Sequence, residues 1–111
     1  MAFSASLETR GNIGIITLAG QMDASTAPAF KEKVEAAANG GAKKLVLMLK
    51  DLEYMSSAGL RVLIFVKQKM GADADVYIVA PSEMVADTLE KSGYGESVII
   101  LDSYDPAVIE K

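Results

Sequence analysis

The chain has 111 residues and a formal net charge of −4, with 50% of its residues hydrophobic and 23% charged. That length suits one hydrophobic core rather than two, and the balance is that of a globular domain rather than a disordered tail. Cysteine and histidine are both absent, which removes disulfides, thiol nucleophiles, the commonest zinc ligands and the usual general base.

The acidic balance weighs against direct contact with nucleic acid or with an anionic membrane, because neutralising phosphates takes a basic stripe. Here the lysines from Lys31 to Lys69 are scattered, as on a solvated surface. The longest stretch without a charged side chain runs from Gly11 to Met22 and carries Asn12, Thr17 and Gln21. It is too short and too polar to insert in a bilayer. The opening Met1-Ala2-Phe3-Ser4 has neither the basic region nor the apolar run of a signal peptide, so a cytoplasmic location is expected.

Residues 3–9 and 12–19 read as two strands joined by a tight turn at Arg10-Gly11-Asn12. In the second, Ile13, Ile15 and Thr17 take one face, Ile16 and Leu18 the other. From Ala27 to Ala38, Phe30, Val34 and Ala37 share a helical face, with Ser25 or Thr26 as cap and Pro28 in the first turn. Gly40-Gly41 ends that helix. Leu45 to Leu49 is apolar on both faces, as in a buried parallel strand.

A helix from Ser57 to Met70 is expected to bury Val62, Leu63, Val66 and Met70. Val76 to Ala80 is the next strand. Pro81 and Ser82 open a third helix carrying Val85, Thr88 and Leu89, broken by Gly93 and Gly95. Val98 to Leu101 makes the last strand, and residues 106–110 a short terminal helix. The order β-β-α-β-α-β-α-β-(α) predicts a single α/β domain with a mixed, mainly parallel sheet covered by helices.

Right-handed crossovers bring the strand-to-helix loops to one edge of such a sheet. Three loops are expected there: Gly20-Gln21-Met22-Asp23, Asp51 to Ser57, and Pro81-Ser82. The second loop is the informative one. Ser56 and Ser57 stand at a helix start with Ala58 and Gly59 behind them. The hydroxyls serve either as helix caps or as a modified, partner-contacting site. Gly59 costs up to about 1 kcal/mol in a helix relative to alanine. Close approach of a partner, or close packing on a neighbouring strand, would each account for it. Tyr54 is expected to pack beneath this loop. The six methionines read first as gap-fillers, although Met22 and Met55 flank the edge.

A phosphate on such a serine adds about −1.5 to −2 charges. A helix N-terminus accommodates that charge, so the consequence would fall on an interface rather than on folding.

Gly20-Gln21-Met22-Asp23, the helix through Ala27 and Phe30, and Asp51-Leu52-Glu53-Tyr54-Met55-Ser56-Ser57-Ala58-Gly59-Leu60 resemble the STAS domain of bacterial anti-sigma factor antagonists. The resemblance spans nearly the whole chain and implies that residues 1–111 are a single STAS domain. It further implies a partner-switching phosphoprotein in transcription regulation. In that family the unphosphorylated antagonist sequesters an anti-sigma factor that is also a serine kinase. Phosphorylation ends the complex, and a PP2C-type phosphatase restores it. The acceptor maps to Ser57, with Ser56 as the competing hydroxyl, and Asp23 matches an acidic loop residue beside the acceptor. The implied partner surface comprises Met22, Asp23, Met55, Ser56, Ser57, Ala58 and Gly59. The family often has an aspartate where this chain has Ser56, which removes one negative charge from that surface.

Two other readings stay open: a constitutive STAS subunit of a transporter or signalling assembly, in which the serine is only a cap, and a nucleotide or small-ligand sensor. The sequence has no phosphate-cradling glycine loop with a lysine. No cofactor is expected. An enzyme is not expected either, because no nucleophile-base pair or metal cluster is visible.

Overall fold

A computed structural model describes residues 3–71, 74–93 and 98–110. Its elements follow the expected order: β1 (Ser4–Arg10), β2 (Ile13–Met22), α1 (Ala27–Asn39), β3 (Lys44–Met55), α2 (Ser57–Met70), β4 (Asp75–Val79), α3 (Glu83–Lys91), β5 (Ile99–Leu101) and α4 (Pro106–Ile109). The five strands form one sheet in chain order, β1-β2-β3-β4-β5. β1 is antiparallel to β2 and every later pairing is parallel. The hairpin turns at Gly11, whose φ of 59° suits a residue without Cβ. Gly95, expected to help break α3, lies outside the described residues.

Because each right-handed crossover steps to the next strand in the same direction, the crossover helices α1, α2 and α3 collect on one face. Ile16, Leu18, Leu45, Leu47, Val76 and Ile78 point into that face and meet Phe30 and Val34 of α1, Leu63 of α2, and Val85 and Leu89 of α3. Alternation sends Ile13, Ile15, Val46, Tyr77 and Val79 to the opposite face, where they pack with Ile109 of α4. The Lys44 ammonium donates to the carbonyl of Ile109 at 2.7 Å and helps hold α4 there. α1 lies close on β2: a Cβ on Gly14 would stand 2.9 Å from the Ala37 methyl. Met70, expected in the core, is half-buried at the end of α2 and packs against its margin.

β2 and β3 are longer than the sequence suggests. Gly20-Gln21-Met22 continues β2, and the stretch read as a loop from Asp51 is strand as far as Met55. β3 carries an extra residue opposite Thr17–Ala19 and another opposite Gly20–Gln21. These bulges place the buried side chains Leu49, Leu52 and Met55 at intervals of three rather than two. The alternation that marks a strand is therefore lost just where the strand continues.

The extension also separates the three loops. Pairing of β3 with β4 ends at Met48↔Val79, whereas pairing with β2 runs on to Met22↔Met55. At roughly 3.3 Å per residue the additional stretch is on the order of 20 Å long. The first two loops thus leave the sheet together, and Pro81-Ser82 leaves it well short of them. The strand order never reverses, so the sheet also lacks the switch point at which open α/β sheets form a ligand crevice.

Candidate functional site

α2 starts where β3 ends, with one residue between them. Ser56 is that residue, with extended backbone at φ −85° and ψ 177°, and its Oγ accepts from the N–H of Ala58 at 3.2 Å. It is the N-cap of the helix. Ser57 is the first helical residue and is exposed. Among the described residues its hydroxyl makes no hydrogen bond. Of two adjacent serines, one is therefore occupied by capping and the other is displayed.

The floor under this helix start consists of two methionines. Met22 and Met55 are opposite one another in the β2–β3 register, and both are buried. A Cβ on Gly59 would come within 2.6 Å of Met22 Sδ and 2.7 Å of Met55 Cγ. Packing on the neighbouring strands therefore accounts for this glycine. Met22, Met55 and Gly59, expected at the partner surface, are buried beneath it. The exposed part of the sequence-derived set is Asp23 and Ser57, with Ser56 and Ala58 half-buried between them. Tyr54 does not pack under the loop: it is 41% exposed, because the second bulge turns it outward with Glu53.

The first loop is tied to the second through the backbone. The N–H of Ser56 donates to the carbonyl of Met22 at 2.9 Å, so Asp23 and Ser57 each follow directly on one end of this bond. Asp23 is fixed by its own loop. Its Oδ1 accepts from the amide of Ser25 at 2.9 Å, the hydroxyl of Ser25 at 2.6 Å and the amide of Thr26 at 3.2 Å. The Ser25 hydroxyl is the largest cause holding the Asp23 carboxyl below its ordinary pKa; the amide of Ser25 adds to it, and Thr26 contributes further. Thr26 Oγ1 accepts from the N–H of Asp23 at 2.9 Å and donates to the carbonyl of Gln21 at 3.1 Å.

The sequence suggests Ser25 or Thr26 as the cap of α1, but neither caps it through its side chain. Thr26 occupies the N-cap position without a capping hydrogen bond, because its hydroxyl turns back toward the strand. Both residues instead organise Asp23. The available signal was the Asp-x-Ser-Thr spacing, which favours an aspartate accepting from amides two and three residues on.

Residues 4–107 match the STAS domain family model. The chain belongs to the STAS domain family. Solved structures share the fold of this STAS domain. An anti-sigma factor antagonist from Mycobacterium paratuberculosis is 20% identical and matches over 99% of this chain and 96% of its own, at a TM-score of 0.86. The anti-sigma factor antagonist SpoIIAA in its unphosphorylated form is also 20% identical, covering 98% and 94% at a TM-score of 0.79. The Bacillus cell fate determinant SpoIIAA in its phosphorylated form gives 20% identity, 98% and 97% coverage, and a TM-score of 0.70.

Two depressions lie away from Ser56 and Ser57. A shallow groove of about 530 Å³ lies on the face opposite α1, α2 and α3, against Ser6, Arg10, Thr17, Met48 and Tyr104. Another, of about 580 Å³, lies along Glu83, Met84 and Asp87 of α3. Among the described residues no helix is long and apolar enough to cross a membrane.

Proposed function

We propose that this STAS domain is an anti-sigma factor antagonist that works by partner switching. Unphosphorylated, it binds an anti-sigma factor that is also a serine kinase. Phosphorylation of Ser57 releases it, and a PP2C-type phosphatase returns it to the binding form. The observation that carries this reading is the pair of serines: Ser56 is engaged as the cap of α2, while Ser57 is exposed with a free hydroxyl next to the Asp23 loop. The similarity to SpoIIAA structures described as unphosphorylated and as phosphorylated supports it.

The physical chemistry suits a switch at an interface. A phosphate on Ser57 would meet the free amides and positive dipole end of α2, so the domain would stay folded. Asp23, Asp51 and Glu53 are exposed around the same edge. A phosphate at the displayed hydroxyl would add bulk where the partner must come close, and its charge would repel any acidic group of the partner that faces Ser57 itself. In this reading the chain is substrate and binding partner rather than enzyme, needs no cofactor, and acts in the cytoplasm.

The test is incubation with each anti-sigma factor kinase of the source genome and ATP, followed by phosphosite mapping. Phosphate on Ser57 is expected. Phosphate on neither Ser57 nor Ser56, with binding retained, would mark a constitutive STAS subunit and reject the switch.

A further inference from the structure

The Asp23 carboxylate is held from one side only. Oδ1 takes the hydroxyl and amide of Ser25 and the amide of Thr26. Among the described residues Oδ2 takes no hydrogen bond and forms no ion pair. Asp23 itself is exposed. The Thr26 hydroxyl, at 3.4 Å, is a fourth donor group around Oδ1; a carboxylate held so on one oxygen loses side-chain rotation, while the other oxygen keeps its full capacity to accept. Thr26 anchors the same loop to the end of β2 through Gln21, and the Ser56–Met22 bond anchors it to the start of α2. The outcome is a fixed anionic acceptor at a set place beside Ser57.

We infer that Ser25 is a positioning residue for partner docking: it pre-orients the Asp23 carboxylate so that Oδ2 meets an arginine or lysine of the protein that docks over Ser57. This rests on the proposed antagonist function and specifies how that site is recognised. An ion pair formed with an ordered carboxylate avoids the entropy of immobilising a free side chain. Ser25 lies outside α1, is exposed, and its hydroxyl is bonded to Asp23. Its removal should therefore act through Asp23 rather than through the fold. The low pKa of Asp23 is consistent with the clamp, since its largest cause is the Ser25 hydroxyl.

The experiment is steady-state phosphorylation of the full chain by the kinase that modifies Ser57. It compares wild type, Ser25→Ala and Ser25→Thr, and repeats Ser25→Ala in an Asp23→Ala background. Ser25→Ala should raise KM roughly three- to tenfold at unchanged kcat. Ser25→Thr should restore it, and in the Asp23→Ala background Ser25→Ala should change nothing further. An unchanged KM, or the same loss in both backgrounds, overturns the inference. A carboxyl-carbon NMR titration supplies an arm that needs no kinase: in Ser25→Ala the Asp23 pKa should rise toward the ordinary aspartate value, and an unmoved pKa removes the clamp. A wild-type chain that no kinase binds or modifies would instead sink the antagonist reading and the docking role with it, leaving the titration to judge the clamp alone.

Discussion

The amide of Ser56 donates to the carbonyl of Met22 across 2.9 Å, joining the last residue of β2 to the residue that caps α2. The bond continues the β2–β3 pairing one step beyond Met22↔Met55, to where Asp23 begins its loop and Ser57 begins α2. They belong to one surface, and substitutions in either loop are expected to affect the same binding event.

The first expectation concerns charge at Ser57. Titration calorimetry with the cognate kinase should find Ser57→Ala close to wild type and Ser57→Asp weakened by at least about tenfold, since the larger charged side chain must be desolvated and accommodated where the small hydroxyl docks. Equal affinities for the two variants would contradict the switch.

Gly59 offers a test of the packing beneath the site. Alanine is the better helix former by about 1 kcal/mol, but its Cβ would enter the space of Met22 Sδ and Met55 Cγ. Overpacking a buried position typically costs about 1–3 kcal/mol. The overlap involves two side chains fixed in the core, so the cost should exceed the helix gain. Urea unfolding of Gly59→Ala should show a net loss of roughly 1–2 kcal/mol. A neutral or stabilised variant would mean that the methionines yield freely.

The Asp23 clamp has a defined pH signature. Its folded-state pKa lies below the ordinary aspartate value, chiefly through the Ser25 hydroxyl. A carboxylate with a depressed folded pKa contributes stability that is present above the unfolded pKa and lost as pH falls through the folded one. The difference in melting temperature between wild type and Asp23→Asn should therefore be constant above about pH 5 and shrink as the solution is acidified below about pH 4. A difference independent of pH would show that the carboxylate charge does not hold the loop.

Arg61 sits four residues after Ser57 on α2, exposed and without an ion-pair partner among the described residues. Residues four apart on a helix are neighbours, and guanidinium groups pair well with phosphate. In the Ser57-phosphorylated chain, phosphorus NMR should place the second phosphate ionisation below the usual value of about 6. Arg61→Gln should raise it. No difference between the two would show that Arg61 does not reach the phosphate.

Local patterns already carried the architecture. Of the residues assigned to the core faces of α1 and α2, Phe30, Val34, Ala37, Val62, Leu63 and Val66 are buried and Met70 is half-buried. α2 begins at Ser57 and ends at Met70 as its spacing implies. Helical periodicity depends on one element burying one face, which a sequence records directly. β3 was harder to see, because its bulges are answers to the partner strand β2 and leave no period of two along the chain itself.

The sequence alone determined the order of elements, the face each helix buries, and the presence of two hydroxyls at a helix start, since each follows from neighbours in the chain. Tertiary structure decided which hydroxyl is displayed, that Met22, Met55 and Gly59 are floor rather than surface, and that Ser25 serves Asp23 instead of capping α1. Those outcomes depend on how far β2 and β3 run together before their loops part. That length is set by pairing between segments distant in sequence, so no local pattern encodes it.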